Sequence, residues 1–391
     1  MGKEGAMSKP VYDVIVIGAG SVGVPAAMSL AEKKLKVLVI DSHHSPGQGN
    51  NKKAIGGVRA THSDYGKIKI SQRSIKIFST WKENFGDDLG WMFNGYSFPT
   101  YNEADENKLK NLMKIQHEFG LNISWISPEK YSELVPGICT EELRGSTFSP
   151  DDGSCSPLLA MNAFYFKSIE YGAKYKFNET VVDIKLSSSK ITEIITDKGK
   201  YSCAYLVNAA GNSAKEIGEM VGLDLPIKPD CHEGAITEPV KRFFGPMVVD
   251  MRPAEGSANY YFYQNNEGQV VFCITPNPPI LGTCDDSTSV FFPQVAKRMV
   301  SLYPRLANLK VRRSWRGQYP MTPDGFPIVG KIREIKNYVH AIGMCGQGFM
   351  LGPGLGELIS RIIIDEKASD DDRILKSFDP YRDFSGMEAF K

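Results

Sequence analysis

Residues 11–41 read VYDVIVIGAGSVGVPAAMSLAEKKLKVLVID, and this stretch decides the fold. Val14 to Ile17 is a short apolar run of β-branched residues, the composition of a parallel strand buried on both faces. Gly18, Gly20 and Gly23 follow with the spacing G-x-G-x-x-G and lead into a helical segment, Val22 to Lys33. A second β-rich run, Val37 to Ile40, ends on Asp41, about 20 residues past the glycines. Strand, glycine turn, helix, strand and acid in that order mark a βαβ unit that binds a dinucleotide. Gly18 allows the tight turn, Gly20 lets backbone approach a pyrophosphate, and Gly23 lets helix and strand pack closely. Ser21 and Val22 open the helix, whose free N–H groups and dipole favour phosphate. Asp41, with Ser42 beside it, is expected at the ribose hydroxyls. A glycine turn in an ordinary βαβ unit is the bland alternative; the placement of the acid argues against it.

The motif leaves nicotinamide and flavin dinucleotides open, and the far end of the chain separates them. Residues 343–357 read GMCGQGFMLGPGLGE, ahead of the apolar helical run Leu358 to Ile364. A second glycine-rich turn entering a helix suggests backbone packed on something flat, with Pro353 suited to the first helical turn. A helix N-terminus aimed at a flavin would stabilise the anionic reduced ring. Gly343, Gly346, Gln347, Gly348, Phe349 and Met350 are therefore placed with the cofactor contacts.

Bulk properties bound the function. A chain of 391 residues is long enough for two domains. With 46 Lys and Arg against 45 Asp and Glu, the net charge of +1 gives no bias toward nucleic acid. No apolar run reaches the ~18 residues of a membrane span, and Met1 to Pro10 is polar, without the apolar core of an export signal. Seven scattered cysteines form no C-x-x-C or zinc spacing, and the six histidines form no metal pattern. Reduced thiols, no metal site and a cytoplasmic location are the expectations.

With both ends in hand, the chain resembles the FAD-dependent amine oxidoreductases of the D-amino-acid oxidase superfamily over nearly its whole length. The closest branch is the sarcosine oxidase β-subunit and proline dehydrogenase β-subunit group, with glycine oxidase more distant. The resemblance implies a mixed fold, α/β plus α+β: a Rossmann-like FAD-binding domain (9–88, 144–224 and 318–391) and a discontinuous antiparallel-sheet substrate domain (89–143 and 225–317). Asp64 to Phe85 has helical spacing with Asp64 as N-cap, while 174–183, 190–196 and 199–201 read as one small antiparallel meander and 370–391 as a polar tail.

Further motifs carry the resemblance. In SHHSPGQGNNKKAIGGVRATHSD, residues 42–64, Gly49, Lys53, Gly56, Gly57 and Arg59 fall on the family's G-S-x-x-R-x-x-G-G-x-R, a loop wrapping the flavin diphosphate and ring edge. Asn50 and Asn51 replace small hydroxyl residues and can still donate hydrogen bonds; Ala54 and Ile55 complete the loop's contacts. For Lys52 and Lys53 a solvated basic loop remains an equal reading. Arg59, set among apolar residues and glycines, is the candidate for a substrate carboxylate or the flavin edge. Val182 lies in the strand whose backbone meets adenine in the family, and Ala210 and Gly211 match its A-A-G. His232 to Pro239 resembles the branch's H-E-x-x-x-T-E-P. In Tyr260 to Tyr263, period two puts Tyr261 and Tyr263 on one face. The family places tyrosines of this strand over the flavin, so Tyr261 is a catalytic candidate; a packed aromatic strand is the alternative.

Residues 315–330, WRGQYPMTPDGFPIVG, match W-x-G-x-x-x-x-T-P-D-x-x-P-x-x-G. Glycine and D-amino-acid oxidases carry a carboxylate-binding Arg where Tyr319 stands, which argues against those two activities. The reaction implied is hydride transfer to flavin N5 from the carbon beside a secondary amine, as in sarcosine or proline. FAD is expected to be non-covalent, because the cysteine that monomeric sarcosine oxidases use near T-P-D has no counterpart in Arg316 to Met321, and Cys345 lies in a different turn. Those oxidases also place Lys above the ring. The strands expected there, Tyr260 to Gln264 and Gln269 to Ile274, carry no Lys or Arg, and Met350 stands at the position of a second Lys. A dehydrogenase passing electrons to a dye, a quinone or a redox partner subunit is therefore favoured over an oxidase. Two alternatives stay open: oxidation of a hydroxyl carbon in a 2-hydroxy acid or glycerol-3-phosphate, and an FAD-bearing subunit without catalysis of its own.

Overall fold

The computed structural model describes residues 11–388; the polar opening Met1 to Pro10 lies outside the described residues. The opening βαβ unit folds as its residues dictate. The strand Tyr12–Ile17 lies parallel to both Val37–Ile40 and Cys203–Asn208. Its side chains alternate between two cores. Val14 and Val16 pack with Leu30, Leu351 and Leu355 of the helical layer, and Ile15 and Ile17 with Ile184, Ile191 and Ile194 on the other face. Each such residue contributes roughly 1.5–3 kcal/mol on full burial.

The strand belongs to a six-stranded sheet. Its order is Ile328–Lys331, Tyr338–Ile342, Cys203–Asn208, Tyr12–Ile17, Val37–Ile40, Lys174–Lys176, parallel except for the first pair. The expected meander is thus corrected. Lys174–Lys176 joins the six-stranded sheet as its edge, and only Val181–Ser187, Lys190–Thr196 and Lys200–Tyr201 form the separate antiparallel sheet.

Helices Gly23–Glu32, Tyr65–Phe85, Pro157–Glu170 and Gly348–Ile364 cover the other face. Asp64 caps the second of these by accepting from Lys67 N at 3.0 Å, and Gly86 ends it in the left-handed region. The "polar tail" also folds: Asp371–Phe378 is an amphipathic helix that buries Ile374 and Phe378 in the same core. Pro353 sits inside the helix Gly348–Ile364, because that helix begins earlier than its apolar run suggests.

An eight-stranded, largely antiparallel sheet forms the other half, in the order Val311–Met321, Lys228–Thr237, Val270–Pro276, Ser257–Gln264, Met247–Asp250, Tyr96–Thr100, Gly145–Ser149, Ser124–Ile126. Gly145–Ser149 therefore lies in this sheet although it follows the boundary drawn at 144, and Val311–Met321 runs across the boundary drawn at 318. One face packs Tyr260 and Phe262 against the helix Phe291–Leu302. The opposite face carries Tyr261 and Tyr263 with Tyr96, Phe98 and Met247, and turns toward the six-stranded domain.

Candidate active site

One cavity of about 1410 Å³ runs from the glycine turn after the first strand to the inner face of the large sheet. That exceeds the ~300–1,000 Å³ of pockets for drug-sized ligands and suits a dinucleotide with a substrate beyond it. Its glycines divide into two kinds. A Cβ on Gly18 would lie 2.4 Å from Ala209 O, and one on Gly23 1.9 Å from Gly18 O, so these two are required by backbone packing. A Cβ on Gly20, Gly49 or Gly211 would meet nothing within 4 Å, and all three line the cavity. They form a cradle kept clear of side chains, which fits a pyrophosphate and its ribityl arm. Asn51 Oδ1, buried without a hydrogen-bond partner among the described residues, adds an acceptor there.

The structure brings together Gly18, Gly20, Ser21, Val22, Asp41, Asn50, Asn51, Lys53, Ala54, Ile55 and Gly56 from the N-terminal part. Ala210, Gly211, Gly343, Gly346, Gln347, Gly348, Phe349 and Met350 line the same cavity, as do Arg59 and Tyr261. Three expected contacts are not in its lining. Gly23 is buried against Gly18, while Ser42 and Val182 are exposed. Asp41 braces the turn it faces: Oδ2 accepts from Ala19 N at 2.6 Å and Oδ1 from His43 N at 2.8 Å. Asn50 joins a network, donating to Asn212 Oδ1 at 3.1 Å and accepting from Gln318 N at 3.2 Å. Lys53 is not solvated: its amine pairs with Asp285 and lies 3.3 Å from Gln318 Oε1. Lys52 is exposed.

Of the three glycine-rich helix residues past the second turn, none meets the cavity. Gly352 packs on Ser21 O, Gly354 on Ile70 O and Gly356 on Pro25, so their smallness serves helix contact and not a flat ligand. Gly343, Gly346 and Gly348 do line the cavity, and a Cβ on Gly346 would strike the Tyr319 ring at 2.3 Å.

Arg59 is buried, donates to the Thr61 carbonyl and lies 3.3 Å from His62 Nδ1. Burial, with Arg59 and Lys67 nearby, holds the His62 pKa well below its usual range, so the ring is neutral. Beneath them Asp152, fully buried, accepts from Ala60 N at 2.7 Å; burial raises its pKa to about 7. Lys67 is buried as well, donating to Gly325 O at 2.7 Å and facing Glu388 at 3.5 Å.

Across the cavity stands a cluster that the sequence reading left unassigned. Asp230 and His232, two apart on the strand Lys228–Thr237, share a face. His232 Nε2 lies 3.2 Å from Asp230 Oδ2, and the His232 ring stacks on Tyr319 with centroids 3.8 Å apart. Tyr319 and Tyr261 share a hydrogen bond of 3.0 Å between their hydroxyls. Burial pushes both phenols well above their usual pKa, so both stay neutral. His232 Nδ1 is buried with no partner among the described residues, and the residue lines the cavity. A carboxylate at Nε2 selects the tautomer with its proton there, leaving the Nδ1 lone pair as an acceptor. The D-x-H alternation in a strand, beside the H-E-x-x-x-T-E-P match, was the available signal. Met350 is half-buried against the helical core and also reaches the cavity.

The fold and cradle are those of a flavin-dependent oxidoreductase, and the FAD dependent oxidoreductase family (DAO) matches residues 13–362. The chain belongs to that family. Among solved structures it is similar to L-proline dehydrogenase from P. horikoshii, with TM-score 0.88 and 30% identity over 95% of this chain and 97% of that one. Mitochondrial dimethylglycine dehydrogenase of Rattus norvegicus is 26% identical over 386 residues, which is 93% of this chain but 44% of the relative. Glycine oxidase of Geobacillus kaustophilus is 25% identical over 90% of this chain and 93% of the relative. The chain thus spans under half the length of the mammalian dehydrogenases it matches. Among the described residues no helix is long and apolar enough to cross a membrane.

Proposed function

We propose that this chain oxidises the C–N bond of a secondary-amine amino acid, of the sarcosine or proline kind, with non-covalently bound FAD. The observation that carries the reading is the single cavity that joins the glycine cradle to Arg59 on one side and His232 on the other. The likeness to L-proline dehydrogenase at 30% identity supports it. FAD, held by the Gly18 to Val22 turn, the Asn50 to Gly56 loop and the Gly343 to Met350 turn, supplies the hydride acceptor at its N5.

The chain's residues do the rest. Arg59 offers a fork of donors suited to a planar carboxylate. His232 Nδ1 accepts the amine proton, so that nitrogen's lone pair is free when the neighbouring carbon gives up hydride. Asp230 stabilises the imidazolium that results. Tyr261 and Tyr319 remain neutral donors across the same range of pH. Lys53 of the cradle loop is neutralised by Asp285, and strands Ser257–Gln264 and Val270–Pro276 contain no cation. Both features favour an acceptor other than O₂, because a fixed positive charge is what stabilises superoxide as it forms.

Anaerobic mixing with candidate substrates tests the reaction. N-alkyl and cyclic amino acids should bleach the flavin; bleaching by 2-hydroxy acids or glycerol-3-phosphate alone would replace this reading. Stopped-flow reoxidation tests the acceptor: air outpacing an artificial acceptor, with stoichiometric peroxide, would make it an oxidase.

A further inference from the structure

Lys108 lines the cavity from the helix Glu103–Glu118, whose Leu109 and Leu112 pack with Tyr96, Phe98 and Met247. Its neighbours are committed: Lys110 and Arg144 both pair with Glu106. Lys108 itself is exposed and makes no ion pair among the described residues. Nor does the cavity offer it one. Of the lining carboxylates, Asp41 and Glu216 lie on the dinucleotide side, beside the first turn and beyond Ala210. Asp230 is held by His232 and Ile280 N, Asp285 by Lys53 and Gln318, Glu388 by Lys67 and Ser63.

Besides Lys52 and Lys53 of the cradle loop and Lys228 on the strand of Asp230, the lining carries Arg59 and Lys108, and apolar Phe98, Val249 and Met251 share the cluster that Leu109 and Leu112 join beside Lys108. Asn259, also in the lining, accepts from Thr275 Oγ1 at 2.9 Å and keeps its amide protons as donors. An exposed lysine with no ion pair, in a cavity whose lining also holds the Asn259 amide and an apolar stretch, is suited to receive the distal anion of a ligand. We infer that Lys108, with Asn259, reads a second carboxylate, so that the substrate is a secondary-amine amino acid with a further carboxylate carried on a short methylene linker. This rests on the amine-oxidation reading above and narrows its substrate class.

Two ligands of matched shape test it on the holoenzyme: N-(2-carboxyethyl)glycine and N-(3-methylbutyl)glycine, an isostere that lacks only the distal charge. Anaerobic mixing gives binding from the immediate perturbation of flavin absorbance and turnover from the later bleaching. The dicarboxylate should bind about fivefold tighter, the scale of one partly exposed charge pair, and the preference should shrink as salt is raised. Lys108→Gln should bring the ratio of the two constants to about one, while Lys108→Arg should keep it. Equal binding in the wild type, a ratio that survives Lys108→Gln, or no perturbation by either ligand overturns the inference. Equal constants with normal bleaching leave amine oxidation standing without it. A Lys108-dependent preference without bleaching keeps the anion site and refutes the oxidation.

Discussion

Replacing Gly20 by Ala should separate cofactor binding from folding. A Cβ at this position meets no protein atom within 4 Å, and the residue is absent from the positive-φ glycines. Alanine therefore fits the apo fold, and the reduced freedom of its unfolded chain should leave stability unchanged or raise it by about 0.4–1 kcal/mol. The same methyl occupies the path by which backbone meets pyrophosphate. Losing one charge-assisted hydrogen bond at 1.5–3 kcal/mol weakens FAD by roughly 10- to 150-fold, and Gly20→Val should abolish binding. Gly23→Ala is the contrasting control. Its Cβ would stand 1.9 Å from Gly18 O, so the first helix must move by more than 1 Å, and the cost should exceed the ~1–3 kcal/mol of ordinary overpacking. Thermal unfolding of apoprotein, with FAD titrated by quenching of its fluorescence, reads both effects. A Gly20→Ala protein that binds FAD like wild type, or that loses stability as Gly23→Ala does, refutes the division of these glycines into cradle and packing.

Arg59→Lys should lower kcat/KM by a factor equivalent to roughly 1.5–3 kcal/mol with full flavin content, since a point charge does not replace a fork; unchanged kinetics would make Arg59 purely structural. Acid precipitation should release all the yellow colour to the supernatant, and colour kept in the pellet would demonstrate a covalent link. Burial lowers the His340 pKa to about 3. The unfolded chain takes up that proton near ~6.5, so the contribution is full above that pH and is lost as pH falls toward 3, with a slope of up to ~1.4 kcal/mol per unit. Denaturation from neutral to mildly acid pH should show a shallower decline in His340→Asn; parallel slopes would mean that other groups govern acid sensitivity.

Legibility followed the range of the forces involved. The dinucleotide unit was readable because each of its parts is local: a β-branched run, three glycines at fixed offsets and an acid at the next strand's end. Period two also placed Tyr261 and Tyr263 on the cavity side of their strand, where both are observed. Non-local packing was not readable. Gly352, Gly354 and Gly356 look like ligand-facing glycines until the contacts with Ser21, Ile70 and Pro25 are seen. Lys174–Lys176 carries alternating lysines, as a surface hairpin would, yet pairs with Val37–Ile40 as an edge strand. The His232 acceptor needed both its Asp230 partner and the unfilled space at Nδ1, and only the second is invisible in a D-x-H spacing.

The contact of Gly352 and Gly356 with the first helix has a consequence for synthesis of the chain. The strand Tyr12–Ile17 is made before its neighbour Cys203–Asn208, and the helix Gly348–Ile364 that covers one of its faces is made later still. Until then the early unit exposes a parallel edge and an uncovered apolar face, both invitations to wrong pairing on the ribosome. The cradle turn is packed from outside only once the helix Gly348–Ile364 has been made, because Gly352 rests on Ser21 O and Gly356 on Pro25. A ligand that grips both the Gly18 turn and the Gly343 turn rewards only chains in which both have been made.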